Sequence, residues 1–195
     1  WRSVGRTVVF VLLCCISNVG MAQPADQGLA RALKSLPDDT AKVFKLSDLC
    51  FEYRRKDADT ALWYGNQALA LARKLRFSKG EAQALNDIAI IHLDRSDFPA
   101  ADSALHRALA IRQRLGDDPG VGAIHNKLGN LYQAQLRLEE ALEQNREALR
   151  IFERIGPPAK EAIILGNIAI LDFNLRRYQE ALAGHRAAAD IRMSI

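Results

Sequence analysis

The sequence predicts an all-α solenoid of stacked antiparallel helix pairs, on three observations. The first is a period of forty residues: Gly129, Ala141, Ala148, Ile151 and Ile155 recur as Ala89, Ala101, Ala108, Ile111 and Leu115, as Leu49, Ala61, Ala68, Leu71 and Leu75, and as Ala169, Ala181, Ala188, Ile191 and Ile195. All of these positions are small or aliphatic, and a repeat of this length marks a stacked array. The second is that each period holds two runs in which apolar residues return every three or four positions, the spacing that builds one buried helix face. The third is that Asp, Pro and Gly cluster between the runs, where helices stop and restart.

The unit from Val121 to Lys160 shows the pattern most fully. Ile124, Leu128, Leu131, Tyr132 and Leu136 form the expected buried face of a helix within Ala123 to Leu136, and Leu138, Ala141, Leu142, Ala148, Leu149, Ile151, Phe152 and Ile155 that of a second helix, Leu138 to Ile155. Small residues at Gly129, Ala141 and Ala148 let the two backbones approach, and a large side chain there would push them apart.

Before the array, Ala25 to Leu36 reads as a short lead-in helix with Leu29, Leu33 and Leu36 on one side, closed by Pro37. Asp38, Asp39 and Thr40 offer caps for the first helix of unit one. Ser78 and Glu81 have the S-x-x-E spacing of a capping box at the head of unit two. Asp97 precedes that unit's second helix, with Pro99 in its first turn, where a missing N–H costs nothing. Asp118 with Pro119, and Pro157 with Pro158, supply the start signals for units three and four. The units are then about 40–80, 81–120, 121–160 and 161–195, with residues 23–39 as lead-in and linker.

These residues resemble the tetratricopeptide repeat family, whose signature places Trp, Leu, Gly, Tyr, Ala, Phe, Ala and Pro at fixed offsets over 34 residues. Unit three matches it with Leu128, Gly129, Tyr132, Ala141 and Ala148 and departs from it with His125 for Trp, Asn145 for Phe and Glu153 for Pro. The longer period is similar to the forty-residue, kinesin-light-chain-like subclass. Unit one is the least regular, with Leu49 for Gly or Ala and Glu52 for Tyr. The resemblance implies a right-handed superhelical solenoid whose first helices line a concave groove for peptide or protein partners. Projected onto this chain, the groove positions include Asn86, Asn126, Asn130, Gln133, Asn167 and Asn174, set among Ile90, Leu93, Ile170 and Phe173. An amide both donates and accepts, so a row of them can pair with a bound backbone whatever its sequence. Leu46 and Cys50 occupy the places of the Lys and Asn with which some members grip a terminal carboxylate, which disfavours that mode of capture.

The chain opens on Trp1, with Arg2 and Arg6 ahead of the apolar run Val8 to Ile16 and the small residues Gly20 and Ala22 around Met21. That is the layout of a secretory signal peptide over residues 1–22, and the run is short for a membrane span. Either cleavage after Ala22 or retention as an anchor puts the array outside the cytoplasm. Formal charge is +4, and setting aside Arg2 and Arg6 leaves 4 − 2 = +2 on the part that holds every acidic residue. No clustered basic face for nucleic acid is spelled out. Cys14 and Cys15 lie in the leader, leaving Cys50 without an intramolecular disulfide partner.

His92, His106, His125 and His185 are dispersed without a metal-ligand spacing. Glu139 and Glu140 sit in a first turn, where carboxylates favour the helix dipole. No phosphate-binding loop, nucleophile elbow or metalloprotease motif is present. The expectation is a non-catalytic interaction array with no cofactor. Its leader, its PDDT lead-in and a far end without a polar capping helix look like the amino-terminal sensory regions of bacterial membrane signalling proteins. In those, the array precedes a membrane span and a histidine kinase of a two-component system, a cyclase or a DNA-binding output domain. A freestanding secreted or periplasmic scaffold, or a recruiting domain for a downstream enzyme, are the alternatives. A homodimer is compatible with the sensory role, though no exposed heptad seam specifies one.

Overall fold

The computed structural model describes residues 27–195, so the expected leader and the first residues of the lead-in helix lie outside the described residues. The described part is helical throughout: α1 (Gln27–Ser35), α2 (Thr40–Tyr53), α3 (Ala58–Lys74), α4 (Ser78–Asp94), α5 (Phe98–Arg114), α6 (Asp118–Ala134), α7 (Leu138–Ile155), α8 (Pro158–Asn174) and α9 (Tyr178–Ser194). From α2 onward each helix packs on the next, and α2 also meets α4, so the first helices of the first two hairpins lie side by side. The chain is a solenoid of antiparallel helix pairs.

Three columns of the forty-residue lattice are buried in every hairpin: Leu49, Ala89, Gly129 and Ala169; Ala61, Ala101, Ala141 and Ala181; Ala68, Ala108, Ala148 and Ala188. Larger side chains such as Leu85, Leu105, Ile124, Leu128, Leu131, Leu142 and Leu171 fill the space between these contacts. At Gly129 the approach is closest, since a Cβ there would stand 2.3 Å from Asn145 Nδ2. Asn145, which takes the place of the family's Phe, is fully buried and donates from Nδ2 to the Ala141 carbonyl at 3.0 Å.

The column that closes each unit does not share this burial. Leu115 and Ile155 are exposed, because they end the second helix beside the turn and not inside the stack, and Ile195 is exposed as well. Leu136, expected on the buried face of α6, is 82% exposed and sits past the end of that helix in a left-handed turn, φ 61°. Arg76, Ser96, Gly116 and Arg176 occupy the same left-handed place in their turns. In each of these turns the next residue's N–H reaches back to a carbonyl five positions earlier: Phe77 to Ala72, Asp97 to His92, Asp117 to Arg112, Arg137 to Tyr132 and Arg177 to Asp172. This is the Schellman closure, which satisfies carbonyls that the helix end leaves free. Only Gly116 meets it without the Cβ penalty of about 1–2 kcal/mol that other residues incur there.

The residue that closes one helix also opens the next, and this moves two expected caps. Asp117, not Asp118, caps α6, its Oδ1 accepting from Gly120 N at 3.1 Å. Asp57 and Asp97 cap α3 and α5 in the same way, and Asp39 caps α2. Ser78 is already inside α4, so the expected capping box does not form: Phe77 holds the cap position without a side-chain bond, and Glu81 pairs with Arg73 at 2.9 Å. Leu36 lies beyond the end of α1 and is exposed, whereas Leu33 is buried.

Candidate functional site

The first helices α2, α4, α6 and α8 present the face on which the amides were expected. Asn86, Asn126, Asn130, Gln133 and Asn167 are all half-buried, and Asn174 is exposed at the carboxyl end of α8. The structure joins two of them, Asn167 Nδ2 donating to Asn126 Oδ1 at 2.8 Å across the gap between α8 and α6. Asn86 turns instead to its neighbour and donates to Asp87 Oδ1 at 3.1 Å. Asn130 and Gln133 are half-buried and make no side-chain hydrogen bond among the described residues. On α8 the corresponding positions become Ile170 and Phe173, both exposed, with Phe173 edge-on to Tyr178 at 5.6 Å.

The more unusual groups are Ser47, Asp87 and Lys127, in the lattice column that on α8 holds the expected Asn167. Asp87 is 8% exposed and accepts from Gln83 Nε2 at 2.8 Å as well as from Asn86, both on Oδ1. Burial pushes its carboxyl up to about 6, against the opposing pull of Asn86, Ser47, Gln83 and Arg112. No cation sits on it. Arg112, a cation that acts on it, is committed to Asp117 and, through Nη2 at 3.0 Å, to Gln83 Oε1. Ser47, 6% exposed, stands near enough to favour the ionised carboxylate but makes no hydrogen bond of ordinary geometry.

Above Asp87 a cavity of about 400 Å³ opens between α2 and α4, lined by Phe44, Ser47, Asp48, Phe51, Gln83 and Asp87. Phe44 is 41% and Phe51 66% exposed, although Phe44 is braced edge-on by Phe77 at 5.5 Å. Farther along the face the sign of the charge reverses. Lys127 is half-buried without an ion-pair partner among the described residues, and burial, helped by Arg54 and Lys160, lowers its pKa.

Other candidate groups are absorbed by packing. Cys50 is buried, which pushes its thiol up to about 12 and leaves no thiolate for nucleophilic chemistry. Tyr64 is fully buried against Trp63 and Tyr53, so the aromatic residues of the first hairpin serve the core. Glu139 and Glu140 are engaged by Arg177 and Arg137. His92 pairs with Asp97, His106 with Asp102, and His125 with Gln144. Among the described residues there is no group of His, Cys, Asp and Glu able to hold a metal ion, and no helix long and apolar enough to cross a membrane.

The fold is that of a helical-repeat scaffold. Residues 80–154 match the model of the tetratricopeptide repeat family. Among solved structures it is similar to BtubC (BKLC) from P. vanneervenii, at 23% identity and a TM-score of 0.75 over 85% of this chain and 70% of that one. It is similar to the kinesin light chain TPR-like repeats of Podosopora anserina, at 18% identity and a TM-score of 0.65 over 86% and 83%. A Rap protein in complex with Competence and Sporulation Factor matches at 20% identity and a TM-score of 0.74 over 84% of this chain, which spans 47% of the Rap protein. At these identities the likeness is one of fold. No curated protein sequence matches the chain.

Proposed function

We propose that the first-helix face binds an extended peptide or a protein segment, and that the chain is the extracytoplasmic input region of a bacterial membrane signalling protein. The observation that carries the binding reading is the set of half-buried polar groups on one face that the fold leaves unpaired, Asn130 and Gln133 above all. A fold rarely leaves such groups idle, because each partly desolvated amide without a partner costs free energy that a ligand backbone returns. The Rap protein, whose structure holds Competence and Sporulation Factor, is a precedent for this fold with a bound partner. The export reading rests on Arg2, Arg6, the apolar run Val8 to Ile16 and the small residues near Ala22.

Each part has its own test. In panning a displayed library of random peptides against the chain, Asn130→Ala with Gln133→Ala should weaken recovered peptides on the order of tenfold, at about 0.5–1.5 kcal/mol per lost hydrogen bond. The helical circular dichroism and melting of the variant should not change, because neither amide is bonded among the described residues. Unchanged peptide affinity would remove these amides from the site. For export, residues 1–40 fused to alkaline phosphatase should yield phosphatase activity in the bacterial periplasm, and activity confined to unexported protein would end the extracytoplasmic reading.

A further inference from the structure

The cavity between α2 and α4 lacks one ingredient: a positive charge. Asp87 is a carboxylate more than nine-tenths buried, with both of its amide hydrogen bonds on Oδ1 and no ammonium or guanidinium upon it. A buried carboxylate is ordinarily paired, since leaving it alone costs several kcal/mol. Arg112 would be the natural partner, yet its guanidinium is spent on Asp117 and on Gln83. Ser47, buried beside Asp87 in the same wall, has a hydroxyl without an ordinary hydrogen bond. Asp48 adds a second carboxylate to the lining, and Phe44 and Phe51 contribute exposed rings. The cavity, at about 400 Å³, has room for a whole side chain.

We propose that this cavity is a subsite for an arginine side chain of the bound polypeptide, with its guanidinium on the Asp87 carboxylate and the rings of Phe44 and Phe51 beside it. Arginine fits better than lysine for two reasons. Its planar fork can meet a carboxylate oxygen and a neighbouring hydroxyl such as Ser47 together, and its weakly hydrated plane packs on aromatic rings. The acidic cavity on the first two hairpins and the unpaired Lys127 on the third would also orient the ligand, basic side chain toward α2 and acidic group toward α6. This subsite rests on the reading of the first-helix face as a binding groove, and the test is arranged so that the two can fail separately.

The probe is the acetylated, amidated pentapeptide Ala-Ala-Arg-Ala-Ala, titrated into the isotope-labelled chain by nuclear magnetic resonance. Forms with citrulline or lysine in place of the arginine serve as controls. The expected result is movement of backbone amides in residues 44–51 and 83–87 with the arginine form, weaker movement with lysine and none with the uncharged citrulline. Asp87→Asn should reduce affinity by about tenfold or more, as loss of a desolvated charge pair does. That variant keeps an oxygen for Gln83 and Asn86, so its fold is retained. Arginine binding should also fade as pH falls through about 6, where Asp87 takes up a proton. Asp48 lies in the same lining and Arg112 is engaged by Asp117 and Gln83, while the Cys50 thiol stays neutral over that range. No movement at α2 and α4 would overturn the proposal, and movement confined to α6 and α8 would overturn it while leaving the groove intact. Equal affinity for the citrulline form would overturn it as well.

Discussion

Replacing Gly129 with Leu is expected to lower the stability of the chain by on the order of 3 kcal/mol or more. Overpacking a close helix contact costs typically about 1–3 kcal/mol. Here the obstruction is not a flexible chain end. A Cβ at this position meets Nδ2, Cγ and Oδ1 of Asn145 at 2.3, 2.8 and 3.1 Å, and Asn145 is fully buried and bonded to the Ala141 carbonyl. Moving that amide breaks its bond in the interior, which adds about 1–3 kcal/mol. Even Gly129→Ala should destabilise, although alanine ordinarily favours a helix over glycine by about 1 kcal/mol. The check is denaturant unfolding followed by circular dichroism, with hydrogen exchange to show that protection is lost first in α6 and α7. In an array whose stability is a sum of unit and neighbour terms, the third hairpin should open before the others. Asn145→Ala combined with Gly129→Ala should cost less than the two single changes added together, because the second removes the obstacle the first creates. A neutral Gly129→Leu would mean that α6 and α7 are not in the contact described.

Why the fold was legible and the site less so follows from which residues depend only on their own repeat. The buried columns through Ala61, Ala101, Ala141 and Ala181, and through Ala68, Ala108, Ala148 and Ala188, reflect one contact made again in each hairpin, so period and spacing reveal them directly. The tetratricopeptide resemblance read from those columns agrees with the family match over residues 80–154. Leu136 misled because periodicity alone does not say where a helix stops: α6 ends at Ala134, and Leu136 itself takes the left-handed place in the turn. The caps were displaced by one residue because a single residue ends one helix and begins the next, as Asp117 does; helix signals read singly do not show that sharing. Asn86 was placed on the right face but turns to Asp87, and Asn126 pairs with Asn167, both consequences of neighbours that spacing does not specify. Asp87 itself had a faint signal, an acid within the apolar run Leu85 to Ile91. What makes it unusual is brought from outside its helix: Ser47 from α2 and an already committed Arg112 from α5.

Asp87→Asn is expected to stabilise the free protein at neutral pH while weakening its grip on a cationic ligand. The folded-state carboxyl, at about 6, lies above its ordinary value of 3.8. Between those values the native state therefore holds the proton more tightly than the unfolded chain. The stability this group allows is fully present below about pH 4 and declines as pH rises through about 6. About two pKa units correspond to a loss of up to about 3 kcal/mol at neutral pH. Asparagine has the same shape, keeps an acceptor for Gln83 and Asn86, and carries no charge to desolvate. The variant should consequently gain about 1–3 kcal/mol over the parent at about pH 7.5 and differ little near pH 4, a comparison in which the other carboxylates cancel. Urea unfolding of both proteins across that range measures it. A variant that is destabilised at both pH values would show that Asp87 has a structural counter-charge and that the cavity is no cation site. Where the gain in stability and the loss of arginine binding arise together, one buried carboxylate is retained at the expense of the resting fold, the relation expected of a residue kept for binding.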